Sequence, residues 1–189
     1  MTARPLTFAM LPDGVSEEGI ALHRREALYG YLSKPLIKDL SSYLDGKKVL
    51  EVYAGRGHLA ALLSEQGIDV KATSLRQGHD ASYELGHVYC VEDMDSVTAV
   101  KTYGGWADVI LTCWPTTDPG LLRSLPFILD TQTIVFIGEV TDYFAKPFPL
   151  LGGCATDGFF ESVVEVADSD GIIRYPTPRI DKVKIYRKK

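Results

Sequence analysis

The sequence predicts an α/β protein: a doubly wound, Rossmann-like sheet of seven strands, mostly parallel, with helices on both faces and a C-terminal antiparallel hairpin. Three observations predict it. Short, nearly continuous apolar runs alternate with helical or loop segments between residues 49 and 138, as strands buried on both faces require. A glycine-rich turn, "GRGHLA", joins the first of these runs to the helix that follows. Two late segments, 159–167 and 182–187, alternate apolar and polar residues like an antiparallel pair.

The elements follow in order. Residues 16–32 read as a helix that Ser16 caps, with apolar Ile20, Leu22, Ala27, Leu28, Tyr31 and Leu32. Pro35 opens a second helix over 36–44, and "DGK" at 45–47 is a turn. Strand 49–53 leads through the glycine turn into helix 58–66, which Gly67 closes. Strands are expected at 68–73 and 87–91, then a helix over 96–103 ended by Gly104-Gly105. A buried strand at 108–114, a short helix at 119–127 and a strand at 133–138 complete the wound part, and "DSDG" turns between the two late strands. The expectation is one domain over 1–189, with an N-terminal helical segment to residue 45 and the Rossmann-like core from 46. Such a sheet takes its ligand beyond the carboxyl ends of its strands. The informative residues should therefore follow Val52, Thr73, Val91, Cys113 and Ile137.

Composition narrows the partners. Hydrophobic residues make up 46% of the chain and charged residues 24%, enough for a real core. A net charge of -5 gives no support to a whole-surface grip on nucleic acid. No apolar stretch reaches the ~18 residues of a membrane span, and "MTARPLTFAMLPDG" is a poor signal peptide. Cys90, Cys113 and Cys154 are odd in number and far apart, without a CxxC, and His23, His58, His79 and His87 are scattered. A cytoplasmic protein with reduced thiols and no metal site is expected. The sequence leaves the oligomeric state open.

Glu51 is the informative residue of the glycine turn. The pattern G-x-G-x-x-A at Gly55, Gly57 and Ala60 is shared by several nucleotide-binding enzymes. A pyrophosphate wants bare N–H groups at the helix start, and a carboxylate just ahead of the loop repels it. The acid suits a ligand with a positive end and disfavours an NAD-type oxidoreductase.

At this point "VLEVYAGRGHLAALL" resembles motif I of the class I S-adenosylmethionine (SAM) dependent methyltransferases: an apolar strand, an acid, three residues, then G-x-G. The resemblance spans about 36–186 and implies the seven-stranded sheet, SAM as cofactor and methyl transfer as reaction. It implies that Glu51, Tyr53, Ala54, Gly55 and Gly57 hold the methionine end, Ser74 the ribose in place of the usual acid, and Asp93 and Met94 the adenine. Asp80 stands several residues too late for the ribose. After the fourth strand the resemblance places Thr112, Cys113 and Trp114, where polar, aromatic and proline residues are present but shuffled relative to base-amine methyltransferases. Trp114 is read as a stacking surface or a core-edge residue, and Cys113 as a nucleophile or a small buried hydrophobe. Glu139, past the fifth strand, is read as a general base, amine anchor or surface acid. The aromatic loop at 140–160, with Tyr143, Phe144, Phe148 and Phe159, is a candidate cover over a substrate. The second reading is a non-catalytic SAM-binding or degenerate module that acts through a protein partner.

Overall fold

The computed structural model describes residues 5–76, 85–166 and 169–189. Two helices, α1 (Glu17–Arg25) and α2 (Lys34–Leu44), precede a winding of β1 (Lys48–Val52), α3 (His58–Glu65), β2 (Asp69–Ser74), β3 (Val91–Asp93), α4 (Ser96–Tyr103), β4 (Val109–Cys113), α5 (Gly120–Ser124) and β5 (Thr133–Gly138). There follow a two-stranded ribbon of β6 (Thr141–Asp142) and β7 (Leu150–Leu151), α6 (Asp157–Glu161), β8 (Val163–Glu165), α7 (Ser169–Ile172) and β9 (Lys182–Lys188). The main sheet has seven strands in the order β3-β2-β1-β4-β5-β9-β8. β1 to β5 are parallel, and β9 runs antiparallel to both β5 and β8.

Strand parity assigns the two faces. Val49 of β1, Val109 and Leu111 of β4, and Val135 and Ile137 of β5 pack with Leu36, Ile37, Leu40 and Leu44 of α2 and with Leu59, Leu62 and Leu63 of α3. The alternate residues Leu50, Val52, Ile110, Ile134 and Phe136 pack with Ala99 and Val100 of α4, Leu121 of α5 and Phe159 of α6. Successive strand residues point to opposite faces. Glu51 therefore lies on the face of α2 and α3, as does Cys113, and Thr112 lies on the other.

Four expectations are corrected. The helix expected over 16–32 ends at Arg25; Ala27 takes a left-handed conformation (φ 53°), and residues 27–32 run on without helix. The strand expected at 87–91 begins only at Val91: the Val88 N–H goes to Arg56 O (2.9 Å) of the glycine turn instead of a strand neighbour, and the Tyr89 hydroxyl donates to Val70 O (3.1 Å). The front of the strand expected at 159–167 is helical: Thr156 caps α6 through Phe159 N–H and Phe159 is fully buried. The expected hairpin turn at "DSDG" is replaced by a long connection containing α7, so β8 and β9 pair without a tight turn. The ribbon β6–β7, inside the expected aromatic loop, was not foreseen.

Candidate functional site

A cavity of about 500 Å³ opens at the carboxyl ends of β1, β2 and β4. The strand order reverses between β1 and β4, where this architecture binds its ligands. One end is built by Glu51, the turn 53–56, His58, Ser74 and Leu75; the other by 113–117, Gly153 and the segment around Tyr29 and Gly30.

The turn after β1 shows why two glycines are needed. Gly55 (φ 54°) has open space where a Cβ would stand, so its backbone is bare toward the cavity. Gly57 (φ 83°) packs instead on Val91 and Tyr89, where a Cβ would lie 2.7 and 2.8 Å from their side chains. With Gly57 at its N-cap, α3 has no side-chain cap. The Ala60 N–H, one of the free donors of that first turn, lies near the Glu51 carboxyl and favours its charged form.

Glu51 is 1% exposed, and its Oε2 has no hydrogen-bond partner among the described residues. Burial raises its pKa from 4.5 to about 8, against the opposing pull of the Ala60 N–H. Glu51 is therefore a mostly neutral acid at pH 7. His58 is 3% exposed, neither ring nitrogen has a partner among the described residues, and burial with the Arg56 charge lowers its pKa to about 4. An unpartnered acceptor and an unpartnered imidazole at one end of a cavity are buried groups that a polar ligand would satisfy. Arg56 is nearly buried and spans this end, donating to Gly86 O (2.9 Å) and Glu26 O (2.8 Å).

Trp114, at the other end, holds a left-handed backbone (φ 55°), and so does Tyr53 of the glycine turn (φ 59°). Bulky residues rarely take this conformation, and two at adjoining strand ends mark a site whose surroundings hold them there. Trp114 donates Nε1–H to Asp181 Oδ2 (3.0 Å), and the same carboxylate accepts from Tyr175 (2.6 Å) and Thr177 (2.6 Å). Tyr53 donates its hydroxyl to Asp118 (3.1 Å), which also accepts from Gly120 N–H (2.6 Å) and Thr116. Cys113 faces the cavity beside Gly30. Burial, then the acids Glu51 and Asp181, push its thiol well above the ordinary range, so it is a neutral thiol.

The structure brings together Glu51, Tyr53, Ala54, Gly55, Ser74, Cys113 and Trp114. Gly57 lies behind the turn, and Thr112 is fully buried on the opposite face of β4. Met94 packs against the second core, and the exposed Asp93, register partner of Ser74, accepts Arg76 N–H (3.0 Å). Glu139 does not line the cavity; its carboxylate abuts the backbone of Gly153, which does. Asp80 and His79 fall outside the described residues. Sequence reading missed the wall at 27–32, Arg56, His87, Thr116 and Thr117, and the Asp181 network. The "YGY" at 29–31, a glycine between tyrosines where the helical pattern fails, is the one local signal for the wall.

No family model and no curated protein matches the sequence. Solved structures do. The mitomycin 7-O-methyltransferase MmcR superposes with a TM-score of 0.55 at 14% identity, over 92% of this chain and 59% of that one. A mutant of MtNAS in complex with S-adenosylmethionine gives 0.57 at 11% identity, over 92% and 67%. A SAM-dependent methyltransferase from Archaeoglobus fulgidus gives 0.51 at 15% identity, over 90% and 99%. The chain thus spans about three fifths of the first of these and nearly all of the last, and it has the class I SAM-dependent methyltransferase fold.

Proposed function

We propose that this protein binds SAM in the cavity and transfers its methyl group to an acceptor at the Trp114 end. The observation that carries the reading is the Glu51 carboxyl: buried, with a free oxygen, at the mouth of a glycine turn on a cavity wall. A cationic ammonium satisfies that oxygen and draws the acid into its charged form, whereas a pyrophosphate does neither. His58 and the bare Gly55 backbone offer polar contacts to the same amino-acid end, and Ser74 offers one hydroxyl to the ribose. SAM supplies an activated methyl group. The residues supply orientation and exclusion of water, the principal contribution when two reactants need only alignment. Two of the fold neighbours are methyltransferases and a third was solved in complex with SAM, which supports the same reading.

Isothermal titration with SAM, with NADH as control, tests it. Micromolar SAM binding, weakened by ~1–3 kcal/mol in Glu51→Ala as for loss of a charged hydrogen bond, is expected. Absence of SAM binding overturns the reading and leaves only the fold. SAM binding without turnover on any acceptor would favour a module that acts through a partner, for which Ser74 in the ribose-acid position speaks.

A further inference from the structure

The acceptor end of the cavity has a chemistry of its own. Its aromatic walls are Tyr29 and Trp114, with ring centroids 6.4 Å apart and planes 30° from parallel. The Arg179 guanidinium stands 5.0 Å from the Trp114 centroid and donates to Tyr29 O (3.0 Å). That bond uses one of its five donors, and among the described residues Arg179 has no carboxylate partner. The acids around it are committed: Asp181 to Trp114, Tyr175 and Thr177, and Asp118 to Tyr53, Gly120 and Thr116. Glu139 stands behind Gly153. Cys113 is a neutral thiol, and Thr116 and Thr117 are neutral hydroxyls. Arg179 is not itself a lining residue but stands against Trp114 and Tyr29, which are. The uncommitted charge beside this end is therefore positive, and among the described residues at this end none is a free base.

We propose that the acceptor is a planar aromatic ring bearing an anionic oxygen, a phenolate or a ring carboxylate, held against Trp114 with its oxygen toward Arg179. This identification of the acceptor rests on the methyltransferase reading. Flat walls select a ring by contact area and stacking. A guanidinium with free donors selects an oxyanion by charge-assisted, bidentate hydrogen bonding. An oxyanion also answers the missing base: its oxygen brings the electron pair for the new oxygen–methyl bond, the pair of the breaking sulfur–methyl bond stays on sulfur, and no proton remains to be removed. A ring amine, by contrast, would have to shed a proton with no acceptor lining this end, beside an uncompensated cation.

The test uses the full chain loaded with S-adenosylhomocysteine, whose binding is measured first. Salicylate, 4-hydroxybenzoate, neutral benzamide, aniline and acetate are then titrated while tryptophan emission and heat are recorded. The aromatic anions are expected to bind at least tenfold more tightly than benzamide, aniline or acetate. Arg179→Gln, at an exposed position, should remove most of that preference while leaving benzamide unchanged. Trp114→Phe should weaken all ring probes and leave acetate unchanged. Equal binding of neutral and anionic rings, tighter binding of aniline, an unchanged preference in Arg179→Gln, or no binding of any probe at millimolar concentration overturns the proposal. Failure of S-adenosylhomocysteine to bind strikes the methyltransferase reading instead, and the same titrations on the unloaded chain still decide whether an aromatic oxyanion site exists at Trp114.

Discussion

Trp114 keeps a left-handed backbone because its indole N–H is fixed from behind by Asp181, 2% exposed and hydrogen-bonded to three donors. Each hydrogen bond to a charged group is worth ~1.5–3 kcal/mol, and a buried donor left without a partner costs its desolvation. Asp181→Ala leaves the Trp114, Tyr175 and Thr177 donors without that acceptor and is expected to cost at least ~3 kcal/mol in urea denaturation. Asp181→Asn keeps one acceptor oxygen and should cost about a third of that. In a Trp106→Phe background only Trp114 emits, so its emission should shift to the red in Asp181→Ala as the ring loses its acceptor; an unmoved spectrum would show that the ring is held by packing instead. Parity accounts for which residues of this site were legible in sequence. Glu51 stands out as an acid in an apolar strand, and it reaches the cavity because it shares a face with Cys113. Thr112, one residue earlier, has the opposite parity, which the alternation alone would have excluded. Asp181 and Arg179 gave no local signal, since they meet Trp114 only through contacts about 65 residues apart in sequence.

The wall at 27–32 hangs from α1 and is fixed by His23. The buried ring donates Nδ1–H to Gly19 O (2.6 Å), accepts Leu32 N–H at Nε2 (2.7 Å) and stacks on Tyr31 (4.3 Å). Only the neutral imidazole can accept the Leu32 N–H, and burial lowers the His23 pKa below 6.5. Its contribution is therefore present above pH 6.5 and lost as pH falls below that value through the lowered folded-state pKa. His23→Phe keeps the stack and loses both hydrogen bonds. It should cost ~1–3 kcal/mol at pH 7 and reduce the loss of stability between pH 7 and 5, read by thermal melting at each pH. If the variant matches the wild type at pH 7, the wall is held from Tyr175, whose hydroxyl accepts Tyr31 N–H, and not from α1. The elements that sequence reading placed best, α4 and β5, have sharp local signals at their ends: a capping Asp95 and Gly104 for one, an apolar run ending in Gly138 for the other. The wall failed the same reading because its apolar residues fit a helix and tertiary contacts override that pattern.

At the scale of the whole molecule, the buried Glu51 carboxyl makes folding depend on pH. The Glu51 carboxyl ionises near pH 4.5 in the unfolded chain and near 8 in the folded one. Between those values the unfolded state has released a proton that the folded state keeps, so stability falls as pH rises. The lowered His58, with His23, works in the opposite sense, losing stability as pH falls below 6.5. Comparison with Glu51→Gln cancels the histidine contributions, because they are common to both proteins. One pKa unit corresponds to ~1.4 kcal/mol. From pH 6.5 to 8 the wild type should therefore lose about 1–2 kcal/mol relative to Glu51→Gln in paired urea denaturations. A ligand that brings a positive charge to Oε2 reverses the penalty by holding Glu51 ionised. SAM should accordingly bind more tightly as pH rises over the same interval, by up to ~10-fold per unit, and release a proton that titrations in buffers of different ionisation enthalpy detect. Glu51→Gln should show neither the gain nor the proton. A wild type whose stability relative to Glu51→Gln does not change between pH 6.5 and 8 would mean that Glu51 is already charged before any ligand is added, and SAM would then bind with no proton release.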